Sequence, residues 1–340
     1  MIYGWDLGGA HAKLAVVAPD GQARRVAQVP CELWLGLDRL ESALRQLADE
    51  DAATATHAVT MTGELVDLFP ERAAGVRAVL DAFQGVIRSR AVKVFAAGRF
   101  VDLREAASRW MDIASANWLA TARLVAQCVP QALVLDIGST TTDVVVVADG
   151  EVRAQGSDDR TRLAREELVY TGVTRTPLMA LARAVPFGGD WVGVMAEHFA
   201  TTADVYRITG ELEPAFDHAR TADGRGRSVE ESVQRLARMI GCDREQASLE
   251  DWQRLAAWLA RAQRRLVCAA CDRQLSRGLL APDAPVVTLG VGQFLAASVA
   301  ADLGRAHLGF AALTGVEPGL RAAVDVCGPA FATARLAAQR

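Results

Sequence analysis

The apolar and polar positions mark out one plan twice. Ile2 to Leu7 reads as a strand, Gly8-Gly9-Ala10 as a turn, Lys13 to Ala18 as a second strand, and Pro19-Asp20-Gly21 as a closing turn. About 130 residues later, Ala132 to Ile137 predicts a strand, Gly138-Ser139-Thr140-Thr141-Thr142 a polar turn, Val144 to Ala148 a β-branched strand, and Asp149-Gly150 the close. Aligned directly, Asp6 falls on Asp136, Gly8 on Gly138, and Val16-Val17-Ala18 on Val146-Val147-Ala148, which is an internal duplication.

Between the copies, Ala58 to Met61 and Val92 to Phe95 predict strands, and Leu37 to Asp49, Ala73 to Gln84 and Glu105 to Cys128 predict helices. A β-hairpin followed by alternating strands and helices signals an α/β domain with a mixed sheet. After the second copy the chain turns mostly helical. Val229, Val233, Leu236, Ala237 and Ile240 share a helical face, and a longer helix is expected from Leu249 to Leu279. The strand Val286 to Leu289, a Gly290-Val291-Gly292 turn, a helix from Gln293 to Leu303, a short strand from Ala306 to Ala311 and a closing helix from Phe331 to Ala338 complete the expectation. The domains expected are 1–130 and 131–325, the second with a helical insertion at about 160–280, with a C-terminal helix at about 326–340 that can return onto the first.

Composition narrows the class. With 340 residues, 51% hydrophobic and 23% charged, the chain is globular and long enough for two cores. A net charge of −4 argues against nucleic acid as a partner. No apolar run approaches membrane-spanning length and the N-terminus carries no secretory pattern, so a soluble cytoplasmic protein is expected, and a homodimer is compatible with it. Six scattered cysteines fit reduced thiols; Cys268 and Cys271 fall on a helical apolar pattern and read as buried-face residues rather than metal ligands. His57, His218 and His307 share no metal-ligand spacing and receive no role.

The chemistry is concentrated in the duplicated turns. A Gly/Ser/Thr-rich turn between two strands aims backbone N–H groups and hydroxyls at phosphate oxygens, and two such turns can hold one ligand from both sides. The phosphate-binding set expected is Asp6, Gly8, Gly9, Ala10, Lys13, Gly138, Ser139, Thr140, Thr141 and Thr142, with Gly290 and Gly292 from the late turn. Asp6 and Asp136 end equivalent strands where Mg²⁺ is expected, with Asp143 a further metal ligand or proton acceptor. Lys13, at the position equivalent to Asp143, can neutralise phosphate charge. Arg175 can hold a diphosphate or carboxylate, and Asn117 interrupts an apolar helical face and can reach the cleft. Asp158 and Arg162 read as a buttress of the second domain or an ordinary ion pair, and Asp223 to Arg227 as a cationic turn or a solvated loop.

Together, the two turns and the late Thr288-Leu289-Gly290-Val291-Gly292 segment resemble the actin, hexokinase and heat-shock chaperone (ASKHA, ribonuclease H-like) superfamily. That resemblance implies a duplicated two-domain α/β fold with an interdomain cleft. The strings Ala116 to Ala122, Asp136 to Asp143, Tyr170 to Pro177, Phe199 to Tyr206 and Thr221 to Arg225 are similar to the hydantoinase A/oxoprolinase-related branch. Within it, the chain resembles the tetrahydromethanopterin-linked one-carbon-transfer pathway proteins, which include a methanofuran-biosynthesis synthase.

The resemblance implies a transferase that condenses an aminomethylfuran-methyl diphosphate with the phenol of a tyramine or tyrosine derivative, such as γ-glutamyltyramine. An aryl ether forms and diphosphate leaves; in methylotrophic bacteria the acceptor stays open. On that reading Asp143, Glu197 and His198 are candidate bases for the phenol, Lys13 and Asp136 complete the catalytic set, and Glu64 can meet the substrate ammonium. Tyr170 can stack on an aromatic substrate, as can Tyr206, whose simpler reading is a core tyrosine. The rivals are an ATP-dependent kinase or hydantoinase/oxoprolinase-like amidohydrolase, with ATP as a less favoured cofactor, and a catalytically silent nucleotide-sensing scaffold.

Overall fold

The computed structural model describes residues 1–339. Arg340, the last residue of the expected C-terminal helix, lies outside the described residues. Two mixed sheets form the frame. In the first, β1 (Ile2–Leu7), β2 (His11–Val17), β3 (Ala23–Pro30), β4 (Thr56–Met61), β5 (Val92–Ala96) and β6 (Arg99–Asp102) lie in the order β3-β2-β1-β4-β5-β6. In the second, β7 (Ala132–Ile137), β8 (Thr142–Ala148), β9 (Glu151–Val152) and β10 (Leu168–Val169) precede a separate hairpin of β11 (Ala184–Phe187) and β12 (Asp190–Gly193). The second sheet is completed by β13 (Val286–Leu289) and β14 (His307–Gly309) in the order β10-β8-β7-β13-β14, with β9 beside β8.

The duplication extends to register. Asp6 pairs with Lys13 across β1 and β2, and Asp136 pairs with Asp143 across β7 and β8, both antiparallel. Each first strand then takes a parallel neighbour, β4 beside β1 and β13 beside β7. This is the expected actin-like α/β architecture, and the chemistry-bearing turns stand at the same end of the two hairpins.

Side-chain pattern explains the layers. Each sheet's central strands are buried on both faces, as parallel neighbours covered by helices require. One core sits under the first sheet, around Trp5, Leu14, Val59 and Phe83; a second fills the other lobe, around Ile137, Tyr206, Trp252 and Leu259. A third core runs between the sheets and takes in Val17, Trp118, Val145, Leu289 and Phe331. The closing helix, Gly328–Ala338, enters that third core. It approaches β1 so closely that a Cβ on Gly4 would lie 2.1 Å from the Ala330 carbonyl oxygen, so glycine is required there.

Several elements depart from expectation for identifiable reasons. The helix expected from Glu105 to Cys128 is broken: short helical turns end at Ile113, Ser115 adopts φ 49°, and a new helix runs Asn117–Cys128. The long helix, capped by Ser248 accepting from the Asp251 N–H, stops at Leu275 rather than Leu279. The strand expected from Ala306 to Ala311 shortens to β14 because Phe310 and Ala311 turn into the interlobe core, where Asp325 accepts the Ala311 N–H at 2.7 Å. The segment 160–280 carries β10, β11 and β12 as well as helices. Tyr206 is a core residue whose hydroxyl donates to Gln263, and Cys271 is buried in the long helix. His57 is buried too, accepting from the Trp5 indole at 2.9 Å.

Candidate active site

Both duplicated turns open onto one cavity of about 620 Å³ between the lobes. Asp6, Gly8, Gly9, Ala10 and Lys13 form its wall on the first lobe, and Asp136, Gly138, Ser139, Thr140, Thr141 and Asp143 form the facing wall. Each turn is closed by a backbone bond, Gly8 N–H to His11 O at 3.0 Å and Gly138 N–H to Thr141 O at 2.9 Å. The amides of Gly9, Ala10, Ser139 and Thr140 have no acceptor among the described residues, which leaves two clusters of donors for a bound anion.

The charged groups are paired unevenly. Lys13 Nζ lies 3.4 Å from Asp6 Oδ2, and Arg162 donates to Asp143 at 2.9 Å while stacking on Trp118 from the other lobe. Asp136 has neither an ion pair nor a hydrogen bond among the described residues. Burial, helped by Asp143, pushes its carboxyl up to about 7 against the opposing pull of Lys13. Burial likewise raises Asp6 and Asp143 above the usual carboxylate range despite their cations. For Lys13 burial pulls down, but Asp6, Cys327 and Asp136 outweigh it and hold the ammonium protonated.

Asp6, Asp136 and Asp143 do not make a ready metal cage, since two of them are engaged by cations; no cluster of three or more His, Cys, Asp or Glu suited to a metal occurs among the described residues. What the donors fit is an ion held by Asp136 together with ligand phosphate oxygens, the usual mode of Mg²⁺.

The other expected residues divide. Asn117, Tyr170 and Arg175 line the cavity. Arg175 stacks on Trp34 of the first lobe, 4.6 Å from the ring centroid, reaches towards Thr140 Oγ1 at 3.4 Å, and has no carboxylate partner among the described residues. Thr142 sits behind its turn, buried, donating to the Thr171 carbonyl at 2.7 Å. Glu64 lies outside the lining set: it is buried, accepts from Ser115 Oγ at 2.8 Å, and has no partner for Oε2 among the described residues. Glu197 and His198 are exposed after β12 and do not line the cavity, so the geometry gives them no part in its chemistry. Gly290 and Gly292 also lie outside the lining: Cβ atoms there would meet Ile137, so these glycines let the late turn pack against β7. The turn at Asp223 is structural, with Asp223 bound to buried Arg235.

Sequence reasoning passed over several wall residues: His11, Trp34, Ser115, Trp118 and Asp159. His11 was discoverable, since it stands between the first turn and Lys13. Trp34 follows β3, a strand with too weak an alternation to be anticipated. Ser115 shows no signal, because its place depends on the helix break; its Oγ also reaches Asp159, which pairs with Arg72 of the first lobe.

The hydantoinase/oxoprolinase family profile matches residues 55–318. The chain is 32% identical over 246 residues to the (4-{4-[2-(γ-L-glutamylamino)ethyl]phenoxymethyl}furan-2-yl)methanamine synthase of Methanocaldococcus jannaschii, covering 72% of this chain and 73% of that one. A protein of the same name from Methanococcus vannielii is 31% identical over 119 residues, covering 35% of this chain and 53% of that one. Among solved structures, nucleotide-free acetone carboxylase overlays with a TM-score of 0.55 at 12% identity, covering 97% of this chain and 70% of that one, a likeness of fold.

Proposed function

Given that the chain belongs to the hydantoinase/oxoprolinase family, we propose that it is a transferase of methanofuran-type cofactor biosynthesis, joining an aminomethylfuran-methyl diphosphate to the phenol of a tyramine or tyrosine derivative with release of diphosphate. Its curated relatives are named as synthases, and the protein is an enzyme. The observation that carries the specific reading is the pair of amide-rich turns facing each other across one cavity, with Lys13 and carboxylate-free Arg175 beside them. A diphosphate is an extended polyanion that two such turns can grip at once.

The chemistry asks little of the protein at the carbon. The furan shares the positive charge left on the methylene, so the barrier lies mainly in stabilising the departing anion. The free amides of both turns, the Thr140 hydroxyl, Lys13 and Arg175 supply fixed donors to it as the carbon–oxygen bond breaks. Bound Mg²⁺, held by Asp136 and phosphate oxygens, would add charge neutralisation there. Arg162 holds Asp143 in place through its hydrogen bond, and Trp34 and Tyr170 offer apolar faces to the aromatic acceptor.

The test is diphosphate release with Mg²⁺, using the furan diphosphate with and without tyrosine, tyramine or γ-glutamyltyramine, with mass detection of the ether. Acceptor-dependent release with an ether product supports the reading and identifies the acceptor. Release of phosphate from ATP without any ether would replace it with an ATP-using reaction.

A further inference from the structure

The transferase reading leaves open where the phenol's proton goes. Resting on that reading, we propose that His11 accepts this proton and that His218, reaching over from the second lobe, is its outlet to solvent.

Of the carboxylates lining the cavity, Asp67 is exposed and has no partner among the described residues to fix its position. Asp6, Asp143 and Asp159 are each tied to a cation. Asp136 has no partner among the described residues, but it is the carboxylate that would hold Mg²⁺ together with phosphate oxygens, which takes it out of use as a base.

His11 meets the requirements. His11 lines the cavity, and its ring makes no hydrogen bond among the described residues. It faces the ring of His218, with centroids 5.6 Å apart and planes at 49°. Nδ1 of His218 is buried and has no hydrogen-bond partner among the described residues, next to an imidazole that also has none. The same cavity presents surfaces suited to a phenol ring: the Trp34–Arg175 stack, Tyr170 at 59% exposure and Leu65 at 44%. Such apolar exposure at a cavity wall is what a bound aromatic group would cover.

The surrounding charges give the step an order. Burial, then Lys13, His218 and Arg175, hold His11 down to about 3, so the ring is neutral with one nitrogen lone pair free. A diphosphate beside Lys13 and Arg175 cancels that positive field and raises the basicity of His11. The donor therefore prepares the base for the acceptor. In the step itself the phenol O–H bond breaks and its proton goes to the His11 nitrogen. The phenol oxygen forms the new bond to the methylene carbon, and the old carbon–oxygen bond breaks with its electron pair leaving on diphosphate. The proton then passes by way of His218 to water.

His11→Ala and His11→Gln, assayed with the acceptor active in the wild type and with ring-fluorinated analogues already ionised at the assay pH, test this. With the ordinary phenol both variants should lose about 10²–10⁴-fold in kcat. With ionised phenols the loss should shrink by at least about tenfold, since no proton remains to be taken. Inorganic diphosphate, titrated by calorimetry, should bind both variants as it binds the wild type. The acidic limb of the wild-type pH–rate profile should be missing from both variants. A loss equal for all acceptors, full activity in either variant, or rescue by Gln alone overturns the role of His11, while wild-type turnover leaves the transferase reading standing. A wild type that forms no ether from any phenol overturns both.

Discussion

At the residue scale the cleft depends on Asp136, a buried carboxylate with no cation partner among the described residues. Asp136 is pushed up to about 7 by burial and by Asp143, so in the folded state it binds its proton more tightly than in the unfolded chain. Between the ordinary aspartate value and about 7 the unfolded state holds fewer protons, so stability falls as pH rises through that window and is level above it. Asp136→Asn removes the buried charge. It should raise the Tm of the ligand-free enzyme by about 2–4 °C at pH 8, with no gain near pH 4, while abolishing diphosphate release. Calorimetric scans at the two pH values check the sign, and an equal shift at both would show that charge burial is not the cause. Lys13→Ala has the opposite balance. It strands Asp6, whose Oδ1 is already buried without a hydrogen-bond partner among the described residues, and should lower both Tm and turnover.

At the element scale, the duplicated hairpins were legible because each repeats the same run of β-branched residues and the same Asp-x-Gly turn, so register followed from the alignment of Asp6 with Asp136. The helix break at Ser115 was not legible. Alanine-rich sequence on both sides favours continuing the helix, and the left-handed backbone at Ser115 is held by tertiary bonds to Glu64 and Asp159. The short β14 was misjudged for a similar reason, since burial of Phe310 decides where the strand ends. The close approach of β1 and the final helix at Gly4 supplies a direct test. Gly4→Ala places a Cβ 2.1 Å from the Ala330 carbonyl oxygen, and the two elements must part to relieve it. The expected cost is about 1–3 kcal/mol, read as a lower urea midpoint with an unchanged m-value.

For the whole molecule, the geometry of the site belongs to neither lobe alone. Composition and motif could point to two phosphate turns, but only the packed chain brings Trp34 to Arg175, Trp118 to Arg162, His11 to His218 and Arg72 to Asp159. Those pairings join residues far apart in sequence with no local periodicity to announce them, which is why the sequence points to Arg175 and not to Trp34. The Arg72–Asp159 pair crosses the cleft beside Ser115 and neutralises a carboxylate that lines the cavity. Arg72→Ala leaves that carboxylate uncompensated next to an incoming polyanion, and like charges a few ångströms apart repel more strongly in a partly desolvated cleft than in water. The donor's KM should therefore rise by about tenfold, which is about 1.4 kcal/mol, while the acceptor's KM stays near its wild-type value. Asp159→Asn in the same background removes the repelling charge and should restore most of the loss. Steady-state kinetics on the two variants decide the point, because a lobe-docking role for Arg72 alone would leave the double variant as impaired as the single one.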